Sequence, residues 1–182
     1  LRYTRNINIG SAPFKGPEEA PVEIVVFSDF QCPACATLTS VIDQVHAKYP
    51  DNVKVVFMNF PLQSHRFARQ AAAAALAAQK QGKFWEFHDR LFENYQKLNQ
   101  QKIEEIAKDL GLDGQELKKD MKNAQVLASL SHDISEARQL GLRGTPSVYI
   151  NGRILRNRSF ENFQEEIDKI LNEKSAASEN SR

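Results

Sequence analysis

Residues 22–28, VEIVVFS, are apolar at almost every position, the pattern of a strand covered on both faces. The next stretch, ATLTSVIDQVHAKY, sets Leu38, Val41, Ile42 and Val45 at helical spacing, and Pro50-Asp51-Asn52 ends that helix. VKVVFMNF, residues 53–60, is a second continuous apolar run, so a β-α-β unit is complete by residue 60. A right-handed crossover makes its two strands parallel. Ahead of this unit Ile7 and Ile9 alternate before Gly10, which predicts a short strand at about 6–9 and a loop through FKGPEEAP.

The period then changes to that of helices. HRFARQAAAAALAAQKQG is built of strong helix formers and closes at Gly82, its alanines offering a smooth face for close helix packing. KFWEFHDRLFENY places Phe84, Phe87, His88, Leu91 and Tyr95 on one stripe, widened by Trp85 and Phe92. Two shorter helices follow, the second opened by an Asp113/Glu116 capping-box pattern. QVLASLSHDISEARQLG puts Leu127, Leu130, Ile134 and Ala137 on one face and stops at Gly141.

Strand periodicity returns in TPSVYI, turns at Asn151-Gly152, and pairs back through RILRN. SFENFQEEIDKILNEK is a closing helix capped by Ser159, and SAASENSR is a polar tail expected to be disordered. The order is β-α-β, a helical block of roughly 75 residues, then β-β-α. The boundaries expected are 1–62 for the first half, 63–141 for the helical insertion, 142–173 for the second half and 174–182 for the tail.

Composition narrows the function classes. A chain of 182 residues with 41% hydrophobic and 9% aromatic content can bury its own core. Its net charge of +1 favours neither nucleic acid nor an anionic membrane, and no run is long enough to span a bilayer. The chain begins at Leu1 without a methionine, so an export signal or anchor removed before Leu1 is expected.

The chemistry is concentrated in QCPAC. Cys32 and Cys35 are the only cysteines, and a loop this short stabilises a fold by about 2 kcal/mol at most. That leaves reactivity at the sulfurs or half of a metal site. Zinc needs two or more further ligands, and there is no second CxxC; His46, His65, His88 and His132 show no paired spacing. Redox chemistry is the leading reading. The strand-to-helix junction places Cys32 at the first helical turn, where unpaired N–H groups and the helix dipole favour a thiolate. Pro33 suits that turn because it gives up no useful N–H. Cys35, one turn on, points inward as the resolving thiol. Gly144-Thr145-Pro146 opens a later strand beside this helix; a cis bond there would leave the Thr145 backbone free to pair with a substrate strand.

With GPEEAPVEIVVFSDFQCPAC, QGKFWEFHDRLF, LGLRGTPSVYING and the intervening helices in this order, the chain resembles the DsbA-like thiol:disulfide oxidoreductases over roughly residues 6–173. The resemblance implies an α/β thioredoxin fold with an all-helical insertion between its halves. It implies an extracytoplasmic or periplasmic bacterial enzyme that passes disulfides to unfolded or partly folded exported proteins. A membrane partner of the DsbB or VKOR type would reoxidise it. Cys32 is then the attacked thiol, Cys35 resolves, Thr145-Pro146 is the cis-proline loop, and Pro33-Ala34 tunes the couple. No cofactor beyond the Cys32–Cys35 disulfide and no metal is expected. Where many relatives carry a buried acid six residues before the first cysteine, this chain has Val26; Glu23 and Asp29 are the nearest carboxylates in sequence. Pro33-Ala34 contains no histidine, so a less oxidising disulfide than in CPHC relatives is expected.

A reductase or isomerase would use the same two sulfurs. The stretch ahead of the core is too short for a separate dimerisation domain, so a monomeric oxidase is the expected form. A peptide-binding module without catalysis is the third class. His88 reads as a packed core histidine, His65 as a helix-opening residue, and Arg153, Arg156 and Arg158 as a solvated face.

Overall fold

The computed structural model describes residues 3–182. Its elements are β1 (Phe14–Lys15), β2 (Val22–Ser28), α1 (Pro33–Lys48), β3 (Val53–Asn59), α2 (Ala68–Lys80), α3 (Phe84–Glu93), α4 (Gln100–Asp109), α5 (Gly114–Met121), α6 (Ala124–Gln139), β4 (Ser147–Ile150), β5 (Arg153–Leu155) and α7 (Phe160–Asn180). A five-stranded sheet runs in the order β1-β3-β2-β4-β5. β2 lies at its centre, parallel to β3 and antiparallel to β4. This is a thioredoxin-type α/β fold, with the helices α2 to α6 entering the chain between β3 and β4.

Both faces of β2 are covered, as its unbroken apolar run requires. Val22, Ile24 and Val26 pack with Leu38, Ile42 and Val45 of α1 and Phe163 and Ile167 of α7. Val25 and Phe27 face the other way, onto Val56, Met58, Tyr149 and Ala137 of α6. The alanines of α2 do more than smooth one face. Ala71, Ala74, Ala75 and Ala78 lie against Phe84, Phe87 and Leu91, while Ala72, Ala73 and Leu76 meet Val126 and Leu130 of α6. Short side chains all round let α2 sit at the centre of the insertion with neighbours at close range. α6 is tied to the sheet where the Asp133 carboxylate accepts the Asn59 backbone N–H at 2.9 Å and its side-chain amide at 3.2 Å.

Four expectations are corrected. Residues 6–9 form no strand; Ile7 and Ile9 pack onto the Phe27–Tyr149 face without a partner strand to bond. The edge strand is instead Phe14–Lys15, antiparallel to β3, inside the segment read as a loop. Gly16 follows it so closely that a Cβ would stand 2.2 Å from the Val53 carbonyl oxygen. On α6 the buried residue is Val126, and Leu127 is 43% exposed. The tail read as disordered continues α7 to Asn180, exposed throughout, on residues that contain no helix breaker. Asp113 and Ser159 cap α5 and α7 through their side-chain oxygens, and Asn151 (φ 46°) and Gly152 (φ 80°) make the β4–β5 turn.

Candidate active site

Cys32 is the N-cap residue of α1, and Pro33 takes the first helical position. The Cys35 backbone N–H reaches the Cys32 sulfur at 3.4 Å, so the open end of the helix is directed at that atom. Cys32 Sγ lies 3.7 Å from the Thr145 carbonyl oxygen. The Thr145–Pro146 peptide is cis, and it brings the start of β4 against the CxxC turn. Pro33 and Ala34 are exposed beside the sulfurs, whereas Pro146 is buried. All six residues singled out in sequence therefore meet at one end of the sheet.

The two sulfurs differ less in exposure than the sequence reading expects: Cys32 is 6% and Cys35 1% exposed. The Thr145 carbonyl lies against the Cys32 sulfur, so this residue is largely covered rather than projecting. Both are free thiols. Burial pushes the Cys35 thiol up to about 12, against the opposing pull of the Ser28 and Thr145 hydroxyls and the Asp29 backbone. At neutral pH the Cys35 thiol therefore holds its proton, which has to leave before this sulfur can attack.

Val26, at the position of the missing acid, is buried between β3 and β4 and lines a cavity behind Cys35. Glu23 is not part of this site; it pairs with Lys54 at 3.8 Å. Asp29 has a different task. Its carboxylate accepts the Gln31 N–H at 2.7 Å, the Leu62 N–H at 2.8 Å and the His65 ring N–H at 2.9 Å. Its own carbonyl accepts the Cys32 N–H at 3.1 Å. The Gln31 side chain completes the brace by accepting the Phe67 N–H at 2.7 Å. His65 thus does not cap a helix; it closes a polar knot that fixes the CxxC turn to the chain entering α2. No sequence pattern announces this knot, since its members come from segments more than thirty residues apart. Asp29→Ala strips acceptors from three donors at once, and a loss of about 2–3 kcal/mol is expected, or roughly 4–12 °C in melting temperature. An unchanged melt would show that water replaces the carboxylate at no cost.

His88 lies in the core of the insertion as its spacing predicts, ringed by Phe30, Phe57, Phe84, Trp85 and Phe92 with centroids between 4.8 and 6.5 Å across the cluster. Arg153, Arg156 and Arg158 are exposed. Among the described residues no cluster of three or more His, Cys, Asp or Glu side chains is arranged to hold a metal ion, and no helix is long and apolar enough to cross a membrane.

The family model described as Thioredoxin matches residues 9–169. The probable disulfide bond formation protein D of Bacillus cereus is 36% identical over 168 residues, covering 86% of this chain and 77% of that protein. The Na(+)/H(+) antiporter NhaA 1 of Mycolicibacterium gilvum is 33% identical over 156 residues, which is 84% of this chain but 25% of that protein. The chain therefore spans about a quarter of the antiporter relative's length. A solved thioredoxin-like oxidoreductase from Silicibacter pomeroyi superposes with a TM-score of 0.79 at 30% identity, over 88% of this chain and 92% of that one. By its fold, its sequence relatives and its structural neighbours the chain belongs to the thioredoxin family.

Proposed function

We propose that the chain donates disulfides to exported proteins outside the cytoplasm, through Cys32 and Cys35 and with no other cofactor. One observation carries this reading: the more accessible sulfur, Cys32, caps a helix and receives an amide N–H, while its partner three residues on is buried with a raised pKa. A substrate thiolate attacks Cys32 of the disulfide form. The Cys32–Cys35 bond breaks, a mixed disulfide forms at Cys32, and Cys35 leaves and takes a proton. A second substrate thiolate attacks the substrate sulfur of that mixed disulfide, which closes the substrate's disulfide and releases Cys32 with two electrons gained. The Thr145 backbone, 3.7 Å from Cys32 at its carbonyl, offers an extended substrate main-chain hydrogen bonds. A membrane oxidant of the DsbB or VKOR type then restores the disulfide. The name of the Bacillus cereus relative, disulfide bond formation, favours this direction over reduction.

Melting both redox forms tests the direction. A donor of disulfides is more stable reduced, because the helix terminus favours the freed sulfur; a reductase is more stable oxidised. Equilibration with glutathione gives the potential, expected to be less oxidising than in relatives whose central dipeptide holds a histidine. A potential as high as theirs would sink that part of the reading.

A further inference from the structure

The cavity behind Cys35 leads to a base. It is lined by Cys35, Ser28 and Val26 on one side and by His88, Lys15 and Asp43 on the other, with about 30 Å³ of room for water, enough for one or two molecules. Lys15 and Asp43 are paired at 3.1 Å and partly exposed, so the cavity reaches the surface at that ion pair. The His88 ring is only 7% exposed, and its Nδ1 lies 2.8 Å from the Asp89 carboxylate. A carboxylate accepts, so Nδ1 carries the proton and Nε2 keeps its lone pair. Among the described residues the ring's hydrogen bond runs from Nδ1 to Asp89, and none engages Nε2.

We propose that His88 Nε2 exchanges the Cys35 proton through water in this cavity, taking the place of the acid that Val26 lacks. This rests on the disulfide-exchange reading of Cys32 and Cys35. When a mixed disulfide at Cys32 resolves, the Cys35 S–H proton passes to water and on to Nε2. The freed electron pair attacks the Cys32 sulfur, and the oxidant's thiolate departs. In the opposite step the imidazolium returns the proton to the leaving Cys35. The charged groups facing the ring are Asp89 on its own helix, Lys15 of β1 and Asp43 of α1. Burial and Lys15 lower the proton affinity of the imidazole, outweighing Asp89 and Asp43, so the ring rests neutral with Nε2 unprotonated and passes on readily any proton it takes.

The experiment is stopped-flow oxidation of the reduced protein by saturating oxidised glutathione, followed through Trp85, the sole tryptophan, which lines the same cavity. At saturation the rate is that of Cys35 attacking the mixed disulfide. His88→Phe keeps an aromatic ring in the cage and removes the base. It is expected to slow this step at least ~10-fold at pH 7 and to make the rate rise in proportion to hydroxide, where the wild type is flatter. Equal rates and equal pH slopes overturn the proposal. Asp89→Ala, at a side chain 55% exposed, decides the matter if the first variant does not fold. It frees the tautomer, and a several-fold slower step with unaltered melting supports the relay; an unchanged step refutes it. A wild type that does not react with oxidised glutathione at all overturns the exchange reading itself.

Discussion

Cys35→Ala is expected to abolish turnover while leaving the first chemical step intact. With the resolving sulfur gone, Cys32 still attacks a disulfide, and the adduct has no neighbouring thiol to release it. Incubation with oxidised glutathione should therefore give one glutathione bound per chain, at Cys32, by mass spectrometry. Cys32→Ala should show the converse. The remaining sulfur is 1% exposed and its thiol is pushed up to about 12, so both access and ionisation oppose its alkylation. Iodoacetamide should label it at neutral pH at least ~10³-fold more slowly than it labels Cys32 in Cys35→Ala. Comparable labelling in the two variants would overturn the assignment of roles, because it would mean that Cys35 is reached as readily as Cys32.

The same asymmetry marks how far the sequence can be read. VEIVVFS and VKVVFMNF announce themselves because a strand buried on both faces leaves no polar positions, and QCPAC follows the first of them directly. Gly144-Thr145-Pro146 is legible only in combination, since its meaning depends on lying next to a helix more than a hundred residues earlier. Elements whose reason is purely tertiary were not legible. Phe14–Lys15 is a strand because β3 has a free edge, and Ile7 and Ile9 alternate because they lie on a packed surface. On α6 the apolar period alone points to Leu127, but the helix turns to bury Asp133 toward Asn59, and that carries Val126 inward and Leu127 out. In the site, the Asp29 knot and the cavity joining Cys35 to His88 are invisible for the same reason. A polar residue that is buried to brace a loop has no periodic signature, only partners.

Asp133 makes that point measurable, because a carboxylate buried for its partners makes stability depend on pH. Burial raises its pKa from the ordinary 3.8 to about 7, and the two bonds from Asn59 offset this only in part. Below pH about 4 it is protonated folded or unfolded, and its full contribution is present. Between pH about 4 and about 7 the unfolded chain ionises while the folded one keeps its proton, so stability falls as pH rises, by up to about 4 kcal/mol in all. Asp133→Asn keeps an oxygen for the Asn59 donors and cannot ionise. It also brings an N–H donor to the Asn59 side chain, whose Oδ1 is buried without a partner. The variant is expected to flatten the stability profile across that window and to melt roughly 8–16 °C higher than the wild type at pH 8. Parallel profiles for the two proteins would mean that Asp133 is ionised in the fold at no cost. The consequence reaches the site, since Asn59 is paired with Ser28 in the sheet and the Ser28 hydroxyl favours the ionised Cys35. Above pH about 7 the ionised carboxylate keeps both Asn59 donors, so the cost is the desolvation of its charge, borne at the contact that joins the insertion to the strand end supporting the buried sulfur.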